Sequence, residues 1–379
     1  MRYAIVTETY PPEVNGVALT VQGLEQGLRN RGHLVSVVRP RQDGDAAPNG
    51  DLLVRGASLP RYPGLKFGLP ATRKLMQLWK ESTPDAIYVA TEGPLGWSAL
   101  RAARRCGIPA ATGFHTRFDE YMRDYGAAFL QKSALRWMRR FHNSAQATLV
   151  PTRELAEFLQ SHGFERVVRL ARAVDIGQFG PGRRDDALRS QWGLGQDGLA
   201  AIYVGRIAAE KNLLLAVAAF RELQRSRPDA RFIWVGDGPM RESLARANPD
   251  FIFCGVQRGD DLARHFASGD LFLFPSHSET FGNVTLEAMA SGVATVAFNY
   301  GAAREHLRDG AHGAAVDSDA GFIAATVELG RQDALRQAMG AAACASVQSL
   351  QPEQVAADFD ELLSGLVDTR NRHAPAAVA

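Results

Sequence analysis

The chain has 379 residues, which is enough for two domains that each bury a hydrophobic core. With 46% hydrophobic and 22% charged residues, its composition excludes collagen-like, low-complexity and wholly disordered proteins. The formal net charge of +2 is far from the basicity of a dedicated nucleic-acid binder, so we expect no nucleic-acid partner.

The first half of the chain alternates short apolar runs with longer amphipathic segments. Continuous apolar runs of this length predict buried parallel strands. The runs are Arg2–Thr7, Leu34–Val38, Ala86–Ala90, Ala110–Phe114 and Thr148–Pro151. Between the first two, apolar residues recur at helical spacing from Val17 to Leu28, and Gly32 follows as a helix stop signal. The pattern predicts a β-α-β unit.

A second series of apolar runs begins near residue 199, again with helical segments between them. These runs are Leu199–Val204, Arg231–Val235, Phe251–Cys254, Leu271–Pro275 and Val293–Phe298. Residues 177–190, between the two series, have the Gly, Pro and charge content of a hinge or linker. The sequence therefore predicts an α/β protein with two doubly wound domains that face each other across a cleft.

The predicted domain boundaries follow from this pattern. Residues 1–176 form the first domain, and residues 191–350 form the second. In the remaining segment, 351–379, the apolar spacing from Pro352 to Leu366 predicts an amphipathic helix that packs back on the first domain. Residues 366–379 lose the helical period, and we expect them to fray.

The cysteines and the apolar segments bear on the cellular compartment. Cys106, Cys254 and Cys344 are far apart and odd in number, which argues against a disulfide framework or a structural zinc. The first apolar run is short and soon meets Glu8, and no window reaches the roughly 20 apolar residues of a membrane span. We expect a cytoplasmic protein, with any membrane contact peripheral and at the inner face of the cytoplasmic membrane.

Two cations follow the first predicted strand of the second domain. Arg206 and Lys211 are five residues apart, at a strand end and before a helix. Arginine can bind a diphosphate bidentately and lysine as a point charge, so the pair could neutralise a leaving diphosphate without a metal. A solvated basic turn is the alternative.

Two carboxylates, Glu279 and Glu287, lie around a predicted helix start. On one continuous helix they would be about 80° and 12 Å apart, which is a poor joint site. If the helix instead begins near Asn283, then Glu279, Glu287 and the N–H groups from Phe281 to Val284 can surround one ligand. Such carboxylates bind sugar or ribose hydroxyls. The alternative is an acidic residue favoured by the helix dipole.

The first domain has two candidate positions of its own. Asn15-Gly16 lies between a strand and a helix, where glycine lets the backbone approach an anion, although a plain turn is the alternative. His115 follows the run Ala110–Phe114, at a strand end where α/β sheets place their sites. A packed or solvated loop histidine is the alternative there.

Two Asp-x-Asp triplets, residues 43–45 and 317–319, have a spacing that can bind divalent cations. Both fall in polar loops away from the predicted strand ends. We expect neither to bind a metal, and we expect no other cofactor.

Taken in order, these motifs resemble the retaining nucleotide-sugar glycosyltransferases of family 4, which have the GT-B fold. The resemblance covers nearly the whole chain. The motifs are Asn15-Gly16, Gly205-Arg206 with Lys211, residues 235–239 (Val-Gly-Asp-Gly-Pro), and Glu279 with Glu287 before residues 288–292 (Ala-Met-Ala-Ser-Gly).

The resemblance implies that the second domain binds a nucleoside diphosphate sugar. Arg206 and Lys211 would bind the diphosphate, and Glu287 the ribose. Glu279 would bind the donor sugar, and the backbone near Val256 the base. The backbone N–H groups of Phe281 and Gly282 would bind the donor sugar together with Glu279, and Asn283 and Val284 would also belong to the donor site.

From the first domain, the resemblance implies that the Asn15-Gly16 turn closes on the phosphate and that His115 lies beside the donor sugar. The family pattern has no protein nucleophile, which implies attack by the acceptor on the same face of the sugar. The leaving diphosphate oxygen would then take the acceptor proton. A two-carboxylate hydrolase is the competing interpretation, which we reject because Glu287 is better explained as a ribose ligand.

The charge of the first half of the chain indicates the kind of acceptor. Residues 1–150 hold 20 Lys and Arg against 12 Asp and Glu. Two stretches, 61–80 and 125–153, contain no acid and interleave their cations with aromatic residues, including Trp79, Trp137 and Phe141. Such segments are typical of contact with an anionic membrane, although a solvated helix face is the alternative.

Residues 91–96 and 114–121 are similar to the branch of family 4 that contains lipid-directed mannosyl-, glucosyl- and sulfoquinovosyltransferases. That similarity implies that Arg117, Asp119 and Tyr121 face the acceptor.

We therefore predict a metal-independent, retaining glycosyltransferase. It would transfer a hexose, mannose from GDP-mannose ahead of a UDP-sugar, to a lipid-linked or glycolipid acceptor at the cytoplasmic membrane face. A UDP-sugar-dependent glucosyl- or sulfoquinovosyltransferase is one alternative. Alternatives of another class are a sugar-nucleotide epimerase and a non-catalytic sugar-nucleotide-binding protein.

Overall fold

The computed structural model describes residues 1–13, 15–42, 51–58, 66–115, 131–195, 197–277 and 279–373. The chain divides into two compact units. The first unit is Met1–Ala171 together with Pro352–Ala379, and the second unit is Arg172–Gln351. The division falls after Ala171, five residues before the predicted end of the first domain at residue 176. Residues 177–190, predicted as a linker, lie inside the second unit, where Phe179 is buried in the core.

The first unit is built on a parallel sheet whose described strands run in the order β3-β2-β1-β6-β7-β8-β9. In the centre, Ile5 lies opposite both Val37 and Tyr88, and its side chain is fully buried. These strands are β1 Arg2–Val6, β2 Leu34–Pro40, β3 Leu52–Val54, β6 Ala86–Val89, β7 Ala110–Gly113, β8 Ala147–Val150 and β9 Val167–Arg169. A separate antiparallel pair consists of β4 Gly56–Ser58 and β5 Lys66–Gly68.

Helices cover the first sheet because each has one apolar stripe to bury. Those before the second unit are α1 Gly16–Asn30, α2 Thr72–Glu81, α3 Pro94–Cys106, α4 Gln131–His142 and α5 Arg153–Ser161. The α3 helix has proline at its first position and ends at Gly107, which adopts the left-handed conformation that glycine tolerates.

The second unit repeats the same plan. Its described parallel strands run in the order β12-β11-β10-β13-β14-β15. The strands are β10 Ala200–Val204, β11 Arg231–Val235, β12 Ile252–Gly255, β13 Leu271–Phe274, β14 Ala294–Phe298 and β15 Gly313–Val316. The helices are α6 Asp186–Gln191, α7 Leu213–Ser226, α8 Arg241–Ala247, α9 Gly259–Ser268, α10 Asn283–Ala290, α11 Gly301–His306, α12 Asp319–Arg331 and α13 Asp333–Ser346. Single 3-10 turns occur at Pro181–Arg183 and Ala209–Lys211.

The last helix, α14 (Pro352–His373), returns to the first unit and packs on α1 and β6. Phe359 and Leu363 are fully buried there. The helix continues through His373, so the expectation of fraying from residue 366 was wrong for residues 366–373; Val367 is buried and prolongs the apolar stripe. In the described parts of the chain, no helix is both long and apolar enough to cross a membrane.

Candidate active site

The candidate site lies where the connections of the second sheet change direction. From β10 the chain winds towards β12, and from β13 it winds towards β15, so a crevice forms between the loops that follow β10 and β13. Lys211 is in the first of these loops, and Glu279 is in the second. Their side chains form an ion pair, and each is 18% exposed. The structure therefore brings two of the predicted site residues into contact.

Backbone contacts hold the loop after β10 in place. The buried Tyr203 hydroxyl donates to the Arg206 carbonyl over 2.9 Å. The Ile207 N–H donates to the Asp237 carbonyl, also over 2.9 Å. At Gly236, whose φ is 139°, a Cβ would lie 1.9 Å from the Gly205 carbonyl oxygen. Glycine is required there because two loop backbones pass at contact distance.

Arg206 is the more exposed of the two cations, at 42% for its side chain. Its guanidinium lies 3.6 Å from the carboxylate of Glu210 on the same loop. Both predicted diphosphate-binding cations thus come from one rigid loop, and each has a carboxylate as neighbour.

The α10 helix begins at Asn283, as the second of the two sequence interpretations requires. Gly282 precedes it with φ 89° and has no side chain to accept from the first-turn N–H groups. Phe281 is buried, and its carbonyl accepts the Ala302 N–H over 2.7 Å. Glu279 therefore lies in the loop before the helix, whose first-turn N–H groups, Val284 included, carry partial positive charge.

Glu287 lies one turn inside α10 and is only partly exposed. Burial raises the pKa of its carboxyl from 4.5 to about 7. Within the described residues this carboxyl has no hydrogen bond and no ion pair. A buried carboxylate without a partner is costly. A ligand that donates hydroxyl hydrogens to Glu287 would remove that cost.

Val256 follows β12, at the same edge of the sheet as the other residues predicted to bind the donor, and is 48% exposed. Its position is compatible with a backbone contact to a base.

The first unit has its own polar loops between β1 and β6, where its sheet changes direction. Glu8 follows β1, and its N–H donates to Thr91 Oγ1 over 2.9 Å. The Glu8 carboxylate accepts the N–H of Leu95 at 2.9 Å and that of Gly68. Burial raises the pKa of Glu8 to about 7 in spite of these bonds. Sequence reasoning missed this residue, although its position directly after the first strand was a usable signal.

His115 follows β7 and contacts Tyr88 of the neighbouring strand β6. A hydrogen bond of 2.7 Å joins His115 Nε2 to the Tyr88 hydroxyl. Asn15 is the N-cap of α1, and its side chain accepts the Ala18 N–H over 2.8 Å. Gly16 is exposed as the first residue of that helix.

Several predicted positions lie outside the described residues. They are the acceptor-side residues Arg117, Asp119 and Tyr121, and the first Asp-x-Asp triplet, residues 43–45.

The second triplet, residues 317–319, lies elsewhere in the fold than expected. Residues 317–319 directly follow β15, so they lie at a strand end and not in a remote loop. Ser318 caps α12 by accepting the Gly321 N–H over 3.1 Å, and Asp319 lies 3.8 Å from His277. The triplet thus serves as a helix N-terminus.

The aromatic residues of the basic stretches divide between the core and the surface. Trp79 is 2% exposed and Phe141 is fully buried, so neither can reach a membrane and the expectation for them was wrong. Trp137 is 44% exposed beside Trp97 of α3. Within the first stretch, β5 precedes α2.

A doubly wound sheet with cations, a carboxylate and a helix N-terminus at its switch point is typical of nucleotide-binding α/β proteins. Residues 14–178 match the protein family described as Glycosyltransferase Family 4, and residues 199–332 match Glycosyl transferases group 1. A GDP-mannose-dependent alpha-mannosyltransferase of Mycolicibacterium smegmatis is 35% identical over 92% of each chain. An alpha-monoglucosyldiacylglycerol synthase of Acholeplasma laidlawii is 24% identical over 98% of this chain and 99% of its own.

Among solved structures, the sucrose-phosphate synthase of Thermosynechococcus elongatus superposes with a TM-score of 0.82 at 17% identity. The match covers 97% of this chain and 99% of that one. The chain belongs to the family 4 glycosyltransferases and has their GT-B fold.

Proposed function

We propose that this glycosyltransferase transfers mannose from GDP-mannose, with retention and without a metal, to a lipid-linked or glycolipid acceptor. The observation that carries the binding of a nucleotide sugar is Glu287. Its carboxyl has no partner in the described part of the chain, and burial raises its pKa to about 7. Ribose hydroxyls that donate to Glu287 would stabilise the charged form that burial disfavours.

The Lys211–Glu279 ion pair supports a second step of the proposal. A donor diphosphate would compete with Glu279 for the Lys211 ammonium. Glu279 would then be available to accept hydroxyl hydrogens from the donor sugar. On donor binding, the ion pair between Lys211 and Glu279 would thus be replaced by a contact from Lys211 to the diphosphate and a contact from Glu279 to the sugar.

The reaction proceeds by attack of an acceptor hydroxyl oxygen on the anomeric carbon, on the face from which the diphosphate leaves. The bond between that carbon and the diphosphate oxygen breaks, and the same oxygen takes the acceptor proton. Arg206, Lys211 and the N-terminus of α10 stabilise the charge that develops on the diphosphate. The match to the family pattern is the basis for giving His115 a role in the reaction.

Names of relatives support the choice of donor and acceptor. The relative that is 35% identical is a GDP-mannose-dependent mannosyltransferase, which favours GDP-mannose. The name of the monoglucosyldiacylglycerol synthase denotes a glycolipid, which favours a lipid acceptor.

Surface charge on the first unit supports contact with an anionic membrane. We call the exposed cations of α2, α3 and α4 the basic helix surface, where Glu81 is the one acid among these three helices. Exposed cations near anionic lipid headgroups each favour binding by about 1 kcal/mol. The basic helix surface consists of Arg73, Lys74, Lys80, Arg101, Arg104, Arg105, Lys132, Arg136, Arg139 and Arg140.

A thermal-shift panel with GDP-mannose, GDP, UDP-glucose and UDP tests the donor. We expect the largest stabilisation from GDP-mannose, and loss of it in Glu287→Ala. A shift with UDP-glucose alone would replace the donor assignment. Release of GDP from GDP-mannose that continues in EDTA supports a metal-independent reaction, and its abolition by EDTA would refute that part. NMR of the product reports the anomeric configuration.

Flotation with phosphatidylglycerol or phosphatidylcholine vesicles tests the membrane surface. We expect recovery with the anionic vesicles only, lost at high salt and in the double variant Arg136→Ala, Arg140→Ala. Replacing Arg225 and Arg246, two exposed arginines of the second unit, is the matched control and should change nothing. Equal recovery with both vesicle types would rule the surface out.

A further inference from the structure

Tyr88 contacts the candidate catalytic histidine from the neighbouring strand. We propose that Tyr88 is a positioning residue for His115, and that Phe359 of α14 holds the Tyr88 ring in place. The inference rests on the proposed place of His115 in the active site. Its basis is the 2.7 Å hydrogen bond between the Tyr88 hydroxyl and His115 Nε2. Tyr88 is only 1% exposed, so its hydroxyl is held by the core and not by solvent.

Gly113 supports the inference independently. It ends β7, and a Cβ at this position would lie 2.1 Å from the Tyr88 hydroxyl oxygen and 2.5 Å from His115 Nε2. Any side chain here would fill the space in which the hydroxyl and the imidazole meet. The backbone at residue 113 does not have positive φ. Close approach of these two side chains is therefore the reason for glycine.

The C-terminal helix supplies the other side of the Tyr88 ring. The Phe359 ring meets it edge-on, with 5.0 Å between centroids and 78° between planes. The neighbouring residue Asp360 anchors α14 to the first unit by an ion pair to Arg31 at 3.0 Å and a contact to His33 Nε2 at 2.9 Å. The position of Tyr88, which bonds to His115, thus depends on a helix more than 240 residues away in the sequence.

Positioning of this kind affects turnover more than donor binding. A hydroxyl that holds one ring nitrogen restricts the orientation of the imidazole and biases which nitrogen carries the proton. The residues proposed above to bind the diphosphate and the ribose, Arg206, Lys211 and Glu287, lie in the second unit. Loss of the Tyr88 hydroxyl should therefore lower kcat and leave the KM for the donor unchanged.

The first experiment measures GDP release from GDP-mannose by Tyr88→Phe, His115→Ala and the double variant. We expect Tyr88→Phe to lower kcat about 10- to 100-fold at unchanged KM, and we expect the double variant to equal His115→Ala. The matched control is Tyr3→Phe, which removes another buried hydroxyl of the same core cluster and should leave kcat unchanged. Asp360 keeps its partners His33 and Arg31 in that control.

The outcomes separate the two proposals. If Tyr88→Phe has normal kcat while His115→Ala is inactive, the positioning role is overturned and the role of His115 stands. If His115→Ala is fully active, both are overturned. A fall in kcat that Tyr3→Phe shows equally would assign the effect to general loosening of the core and overturn the positioning role.

A second measurement needs no substrate. The ¹⁵N chemical shifts of the His115 imidazole, followed from pH 5 to 9, should change in Tyr88→Phe and not in Tyr3→Phe. Phe359→Ala should change them in the same direction, whereas Val367→Ala, two turns further along α14, should not. Identical His115 titrations in wild type, Tyr88→Phe and Phe359→Ala would overturn the inference.

Discussion

The raised pKa of Glu287 predicts that donor binding depends on pH. Burial moves the pKa of this carboxyl from 4.5 to about 7, so a difference of roughly 2.5 pH units separates it from an ordinary glutamate. At 1.36 kcal/mol per unit, keeping the buried group charged costs about 3 kcal/mol. Hydrogen bonds from ribose hydroxyls to the carboxylate would offset most of this cost when the donor binds.

The direction of the pH dependence follows from the two protonation states of Glu287. A donor that binds the charged form lowers the pKa of Glu287, so binding releases a proton below pH 7 and affinity falls as the medium is acidified. If the pKa returns to its ordinary value in the complex, Kd for GDP-mannose rises about tenfold between pH 8 and pH 6. Calorimetry in buffers of different ionisation enthalpy measures both Kd and the proton release. GDP-mannose suits this test because its diphosphate has no terminal group that titrates near pH 7.

Glu287→Gln provides the decisive comparison. The variant should bind GDP-mannose weakly and with the same Kd at pH 6 and pH 8. Without the donor it should be more stable than wild type at pH 8, by up to about 3 kcal/mol. Because the folded pKa is raised, the wild type loses stability as pH rises from about 4.5 to about 7, so the loss is nearly complete at pH 8 and the variant lacks it. Glu328→Gln, an exposed acid on α12, is the control. A pH-independent Kd in the wild type would refute the reasoning.

Four further predictions concern packing, membrane contact and charge. Gly236→Ala places a Cβ 1.9 Å from the Gly205 carbonyl oxygen, so it should destabilise the protein by about 1–3 kcal/mol and abolish the thermal shift with GDP-mannose. Trp79→Ala should cost about 3–5 kcal/mol in urea unfolding. Trp137→Ala should instead leave stability nearly unchanged and weaken flotation with anionic vesicles. Glu8→Gln should remove part of the loss of stability that the wild type shows between about pH 4.5 and pH 7, because folding raises the pKa of Glu8 from 4.5 to about 7; an unchanged slope of the urea midpoints over that range would contradict this.

Apolar runs predicted the central strands because those strands are buried on both faces. The edge strands β3 and β9 went unpredicted, since each has only three residues and Val168 of β9 is 40% exposed. The error at Trp79 has a similar origin. Leu75 and Trp79 are four residues apart and share the buried face of α2, a spacing that the surrounding cations obscured.

The sequence could predict those residues of the candidate site that belong to motifs next to predicted strands. Arg206, Lys211 and Glu279 were found because each follows a strand that the sequence predicts. Tyr88 was not, because its importance depends on β6 and β7 being neighbours and on Gly113 leaving room between them. No local pattern encodes that contact.

Glu8 and Glu287 show why a raised pKa alone does not identify a binding residue. Each follows the switch point of its own sheet, and burial raises the pKa of each to about 7. Glu8 accepts backbone N–H groups from Gly68 and Leu95, so its carboxylate is already satisfied and serves to join two loops. Glu287 has no such partner among the described residues, and its cost is recovered only when a ligand supplies hydrogen-bond donors. The count of internal donors, and not the pKa, separates the structural carboxylate from the one that binds the donor.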